Sequence, residues 1–325
     1  MSNNTTTGVP RPPFDPELEA ALVAIAGMVP PTITPEMVPM MKQATPTEPL
    51  DQLLQSRGAT RRDVTIEGHL GDEIVLTIIE AEGREGTGPG FYYTHGGGMI
   101  SGDRFSAIEP FVEWALDHEG VLVSVQYRLA PDFPDPYPVE DCYAGLLWFA
   151  SQFNELGVDP ARVIICGTSA GGGLAAGTSL LSRDRSGPAL AGQMLIYPML
   201  DDRDTTLSSA QIDGVGVWDR ESNRTGWGAL LGERRGSDEV SIYAAPARAT
   251  DLSGLPPAFI DVGSAEVFRD EDIAYATAIW AAGGEAELHV WPGVFHGADL
   301  LAPHAQISRE MVAARNGWIT RILSR

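Results

Sequence analysis

The sequence predicts an α/β protein built on a mostly parallel sheet with helices on both faces. Short apolar runs of strand length alternate with helical patterns of ten to fifteen residues from about residue 61 onward, and parallel strands need such crossovers. The run RVIIC at 162–166 passes through a glycine turn straight into the small-residue pattern GGLAAGTSL at 172–180. No linker, charge run or low-complexity block divides the 325 residues, which favours one large domain with an accessory element over two modest ones.

The elements follow in order. Residues 17–28 carry helical apolar periodicity before Pro30, Pro31 and Pro35 punctuate the chain, and 50–56 reads as a further short helix. VTIEG at 64–68 and EIVLTIIEA at 73–81 read as paired strands at the sheet's edge, and GFYYTHGGG at 90–98 carries a strand into a glycine loop. A helix at 105–118, a strand at 121–127 and a helix at 141–156 precede the strand RVIIC. After the next helix come strands within 191–198, 256–263 and 286–293, with helices at 272–282 and 308–322. Residues 201–240 break this rhythm: polar, with Trp218, Trp227, Leu230 and Leu231 spaced through them, they read as a second insertion packing on the N-terminal arm. The expected division is residues 1–55 as the first part of a cap, 56–200 as core, 201–240 as the second part of the cap and 241–325 as the rest of the core.

A formal charge of -22 argues against a nucleic-acid partner, because binding a phosphate backbone requires a field of Lys and Arg. Residues 1–16 lack the basic and apolar regions of a signal peptide, and no stretch approaches the apolar length of a membrane span. Cys142 and Cys166 lack metal-site spacing and sit in apolar surroundings, so a reduced, cytoplasmic protein is expected.

The chemistry is concentrated at strand ends, where α/β sheets place their sites. Gly167-Thr168-Ser169-Ala170-Gly171 is a G-x-S-x-G turn between strand and helix. Its glycines relieve crowding, it presents Ser169 as a nucleophile, and it turns the positive end of the helix toward developing negative charge. His95-Gly96-Gly97-Gly98 follows a strand, and its amides, with that of Ala170, are candidate donors to a tetrahedral oxyanion. Neither G-K-[ST] nor G-x-G-x-x-G accompanies it, which argues against a nucleotide cradle. His95 is expected to brace the loop.

Of six histidines, His296 best fits a general base, because it lies in a sharp loop beyond the last strand; His304 is the fallback, and His289 lies inside the strand. The acid should lie between Ser169 and His296. Glu266 is the first carboxylate beyond the strand PPAFIDVG, with Asp270 and Asp261 as alternatives. No histidine cluster points to zinc, and the chemistry requires no metal or organic cofactor.

These residues resemble the hormone-sensitive-lipase family of bacterial esterases within the α/β-hydrolases. The resemblance rests on HGGG at 95–98, YRLAPD at 127–132, YPVEDCYAGLLW at 137–148, GVDPARVIICGTSAGG at 157–172, LIYPML at 195–200 and FHG at 295–297. Thr168 is similar to the GTSAG branch of that family. The resemblance implies an eight-stranded sheet, a helical cap, and oxyanion amides from Gly97, Gly98 and Ala170, with Gly96 as a further donor. It implies hydrolysis of small esters with short to medium acyl chains, and in many relatives a homodimer through the last strand and helix. The family's usual acid lies in a D-P-L-x-D-E segment, where this chain has Glu266-Val267-Phe268-Arg269-Asp270-Glu271. Two other readings remain: an amide hydrolase or deacetylase using the same residues, and a non-catalytic ligand-binding protein, against which His296 argues.

Overall fold

In the computed structural model, which describes residues 9–27 and 29–325, strands and helices alternate along the chain. The strands are β1 (Ala59–Glu67), β2 (Glu73–Ala81), β3 (Gly88–Thr94), β4 (Val121–Gln126), β5 (Val158–Thr168), β6 (Gly192–Ile196), β7 (Ala258–Gly263) and β8 (Ala286–Trp291). They form one eight-stranded sheet in the order β1-β2-β4-β3-β5-β6-β7-β8. Only β2 runs against the others, since it is antiparallel to both β1 and β4 while all the remaining pairs are parallel. The edge strand β1 alternates exposed and half-buried residues, whereas every residue of β3, β6 and β7 is buried. That contrast explains why the central strands read as continuous apolar runs.

The helices that position the site are α1 (Pro16–Ile25), α2 (Val38–Met41), α3 (Glu48–Arg57), α4 (Glu109–Asp117), α5 (Tyr137–Ser151), α6 (Ala170–Asp184), α7 (Leu207–Gln211), α8 (Arg220–Leu231), α9 (Arg269–Ala281), α10 (Ala298–Leu301) and α11 (Gln306–Leu323). Several boundaries differ from the sequence reading. The expected 105–118 helix starts only at Glu109, because Ala107 takes a left-handed φ of 53° that a helix cannot contain. The expected 141–156 helix is displaced toward the N-terminus, starting with Pro138 in its first turn, where the missing amide costs nothing. α1 stops at Ile25; residues 1–8 and Met28 lie outside the described residues, so the expected 17–28 helix and 1–55 arm are described only in part.

Asp15 caps α1 by accepting hydrogen bonds from the Glu17 and Leu18 amides at 2.9 and 3.3 Å. The arm and the 201–240 insertion meet as the sequence reading expected. The Ile33 amide donates to Ser222 Oγ at 2.8 Å, Thr225 Oγ1 donates to the Ile33 carbonyl at 2.8 Å, and Thr32 Oγ1 donates to Asp219 Oδ2 at 2.6 Å. Asp219 also caps α8 through the Ser222 amide at 2.8 Å, so one carboxylate serves both pieces.

The main core surrounds the sheet. A second, smaller apolar cluster joins Leu18 of α1 to Val294, Phe295, Ala298, Ala302, Ala305 and Met311. The Asp15 amide donates to the Gly293 carbonyl at 2.9 Å, and Phe14 meets Phe295 edge to face at 5.9 Å. The arm is thus docked on the loop that follows β8. Among the described residues no helix is long and apolar enough to cross a membrane.

Leu18→Ala is expected to cost about 2–5 kcal/mol of stability, the range for emptying a buried leucine site. Urea unfolding with an unchanged slope measures it; a loss below about 0.5 kcal/mol, the scale of surface changes, would show that the arm is not docked.

Candidate active site

Ser169 sits between the end of β5 and the start of α6 with φ 56° and ψ -123°, a conformation that costs free energy for any residue with a side chain. The surroundings enforce it. Its amide donates to the Ile196 carbonyl at 2.9 Å, and its carbonyl accepts from the Met199 and Gly173 amides at 2.9 and 3.1 Å. A Cβ at Gly171 would overlap the Thr94 carbonyl, and one at Gly167 would overlap that of Gly171. Both flanking glycines are therefore required by close backbone approach, and the turn brings Ser169 to the N-terminus of a 15-residue helix.

His296 lies five residues beyond β8, and Glu266 lies three beyond β7. The two strands pair in parallel register up to Gly263 and Trp291, so both loops emerge at one end of the sheet. His296 Nδ1 is 2.9 Å from Glu266 Oε1, and Nε2 is 2.9 Å from Ser169 Oγ. A carboxylate only accepts, so Nδ1–H donates to Glu266, which leaves Nε2 to accept the Ser169 hydroxyl. Glu266 Oε2 accepts the Gly263 amide at 3.0 Å, so its longer side chain is folded back onto its own turn. Ser169, His296 and Glu266 are each less than a tenth exposed.

The alternative acids are engaged elsewhere. Asp270 accepts the Ser208 amide at 2.8 Å and Arg269 Nε at 2.7 Å, and Asp261 is bound by Arg315 Nε at 2.9 Å. His304 is exposed, while His289 bonds Glu287 at 2.9 Å and stacks on Trp291.

Ser169 and His296 open onto a cavity of about 390 Å³, walled by Gly96, Gly97, Gly98, Tyr197, Val217 and Trp218 among others. Among the described residues, the amides of Gly96, Gly97, Gly98 and Ala170 donate to no protein acceptor. Gly98 has φ 63°, and a Cβ there would overlap the Trp218 indole, so the insertion lies directly on the glycine loop. Trp218 is a cavity wall; Trp227 is fully buried and belongs to the core. The sheet neighbours hold the loop from below. The His95 ring stacks on Tyr127 at 4.1 Å, its Nδ1 bonds the Gly96 carbonyl at 2.8 Å, and its own carbonyl accepts Tyr127 Oη at 2.8 Å. His95 therefore braces the loop. Among the described residues no cluster of three or more His, Cys, Asp or Glu side chains is placed to hold a metal ion.

Sequence reasoning missed the aromatic frame around His296. Tyr197 and Phe268 meet the His296 ring edge to face at 4.9 and 5.1 Å. Their only signal was position, immediately after β6 and within the turn that carries Glu266. Two further carboxyls beside that turn, Glu271 and Asp272, are fully buried, and burial pushes both well above the usual range. Glu271 accepts the Leu200 and Asp201 amides at 2.8 and 3.1 Å, tying α9 to the strand end after β6.

Burial drives the His95 imidazole down from 6.5 to about 4. Its folded value lies below its unfolded one, so the stability it contributes is complete above pH 6.5 and is lost as pH falls toward 4. Acidification across that window should cost roughly 3 kcal/mol through this residue. Thermal unfolding from pH 7 to 4 should show a steeper decline for the wild type than for His95→Gln; parallel declines would contradict a buried neutral imidazole.

Residues 91–300 match the family described as alpha/beta hydrolase fold. The chain is 35% identical over 211 residues to Carboxylesterase NlhH of Mycobacterium tuberculosis, a match covering 64% of this chain and 66% of that relative, just under two thirds of its length. It superposes on the solved structure of a bacterial heroin esterase with a TM-score of 0.85 and 38% identity, covering 95% of this chain and 98% of the other. It also superposes on brefeldin A esterase, described as a bacterial homologue of human hormone sensitive lipase, with a TM-score of 0.76 and 25% identity over 96% and 94% of the two chains. The architecture, the strand-end turn and these likenesses agree: the chain belongs to the alpha/beta hydrolase fold family.

Proposed function

We propose that the protein is a serine carboxylester hydrolase acting on short- to medium-chain acyl esters through an acyl-enzyme. The observation that carries this reading is the unbroken chain from Ser169 Oγ through His296 to Glu266, with 2.9 Å at each link, opening onto an apolar-walled cavity beside a glycine loop. The esterase names of the relatives support it.

Ser169 Oγ attacks the ester carbonyl carbon while its proton passes to His296 Nε2. The resulting imidazolium is held by the Nδ1–H bond to Glu266, which also fixes the tautomer. The carbonyl oxygen becomes an oxyanion and takes hydrogen bonds from the Gly97, Gly98 and Ala170 amides, with Gly96 as a further donor. As the carbon–oxygen bond to the alcohol breaks, His296 returns the proton to the leaving oxygen. Water then attacks the acyl-enzyme, losing its proton to His296, and Ser169 leaves with that proton restored. The cavity of about 390 Å³ lies at the small end for ligand sites, which favours modest acyl and alcohol groups.

The cap in this proposal is residues 1–55 together with 201–240, supported by their mutual hydrogen bonds and by Trp218 on the glycine loop. The cytoplasm is its proposed compartment, on the ground that Cys142 and Cys166 are buried free thiols. A homodimer is proposed through α11 and β8, the edge strand opposite β1.

Hydrolysis of p-nitrophenyl butyrate tests this reading. Glu266→Gln should lower kcat/KM by roughly 10³ to 10⁴, the scale for a triad carboxylate, and Ser169→Ala should lower it at least as far. Substantial activity in Ser169→Ala would overturn the proposal, and substantial activity in Glu266→Gln would move the acid elsewhere.

A further inference from the structure

Arg315 in α11 is 3% exposed, although a charged side chain is almost never fully buried unless it is paired. Its Nε donates to Asp261 Oδ2 at 2.9 Å, and its Nη1 donates to Asp299 Oδ2 at 2.5 Å. Both aspartates are buried. Asp261 lies in β7 five residues before Glu266, and Asp299 lies in α10 three residues after His296. One guanidinium thus joins the two segments that carry the acid and the base. The indole of Trp291 at the end of β8 donates to the same Asp261 oxygen at 3.3 Å, so the third neighbouring element is tied in as well.

The cluster also reaches the imidazole through Tyr197. The Arg315 guanidinium carbon stands 5.8 Å from the centre of the Tyr197 ring, and that ring meets His296 at 4.9 Å. The assembly is poorly suited to a purely stabilising role. Among the described residues Asp261 Oδ1, Asp299 Oδ1 and the Tyr197 hydroxyl find no hydrogen-bond partner, and buried ion pairs often add no more stability than apolar side chains of the same volume. What a planar, forked cation supplies that apolar packing does not is a fixed angle between two carboxylates.

We propose that Arg315 is a positioning residue that sets the register between Glu266 and His296 by clamping Asp261 and Asp299. The inference rests on the proposed catalytic roles of Glu266 and His296. Burial pushes Asp261 up to about 6; it also opposes the Arg315 charge, but Asp261 and Asp299 lift the guanidinium above its ordinary value. Other ionisable groups around it include Tyr197 after β6, His296, Glu266, and Glu271 and Asp272 in the first turn of α9.

The test uses Arg315→Met, Arg315→Lys and Asp299→Asn in the full chain, with folding checked by circular dichroism. Each is read by steady-state kinetics on p-nitrophenyl butyrate and by the proton resonance of His296 Nδ1–H. Arg315→Met and Asp299→Asn should lower kcat by about tenfold to a hundredfold, the scale of a misplaced catalytic group, with KM within twofold. Both should displace or broaden the Nδ1–H resonance, and Arg315→Lys should recover only part of kcat because it lacks the fork. Asp299→Asn, nearly unchanged in volume, decides the matter if Arg315→Met does not fold. Folded variants with kcat within twofold of wild type and an unmoved resonance would overturn the proposal. The resonance needs no turnover, so it tests the clamp even if wild-type protein proves inert on esters, which would instead count against the hydrolase reading.

Discussion

The structure turns on the close approach of α6 to the end of β3. With the Thr94 carbonyl against Gly171 there is no room for a Cβ, and the chain can pass from β5 into α6 only through a residue held at φ 56°. Ser169 is that residue. Strain of this kind persists only where packing over-determines it, and here the strand ends after β6 supply the restraint through the Ile196 carbonyl and the Met199 amide. The same contact brings His95 and its glycine loop beside the serine, so the placement of Ser169 and of the amides near it follows from one packing decision.

A second layer of constraint lies behind His296. His296 is reached by a loop, and loops are mobile unless something holds them. This one is held by the α1 cluster around Leu18 and Phe295, the aromatic edges of Tyr197 and Phe268, the hydrogen bond to Glu266 and the ion pair of Asp299 with Arg315. The N-terminal arm therefore has two tasks. It meets the insertion near Trp218 through Ile33, and it buttresses the histidine loop through Asp15 and Phe14.

The parts of this arrangement that were legible in the sequence are those fixed by local backbone demands. Gly167 and Gly171 around Ser169, three glycines after His95, and a histidine just beyond a late strand each announce a turn whose geometry follows from residue type. Glu266 was legible as the first carboxylate past a strand end, because the parallel pairing of β7 and β8 carries that position toward His296. Arg315, Asp299 and Tyr197 were not, since an arginine in a terminal helix reads as solvated until the register of three distant segments is known. Trp218 and Trp227 show the same limit within one insertion: nine residues apart, one walls the cavity and the other fills the core. The helix starts at Glu109 and Tyr137 were misplaced because a left-handed alanine and a first-turn proline act on single residues, below the resolution of apolar periodicity.

The central claim is that Ser169 forms a covalent acyl intermediate with His296 as its base. Intact-mass measurement of the protein quenched in acid milliseconds after mixing with p-nitrophenyl butyrate, followed by peptide mapping, tests it most directly. The account predicts a mass gain of one butyryl group confined to the peptide containing Ser169, present in the wild type and absent from Ser169→Ala. Continued hydrolysis by Ser169→Ala, or a butyryl group on a different residue of a turning-over enzyme, would contradict it.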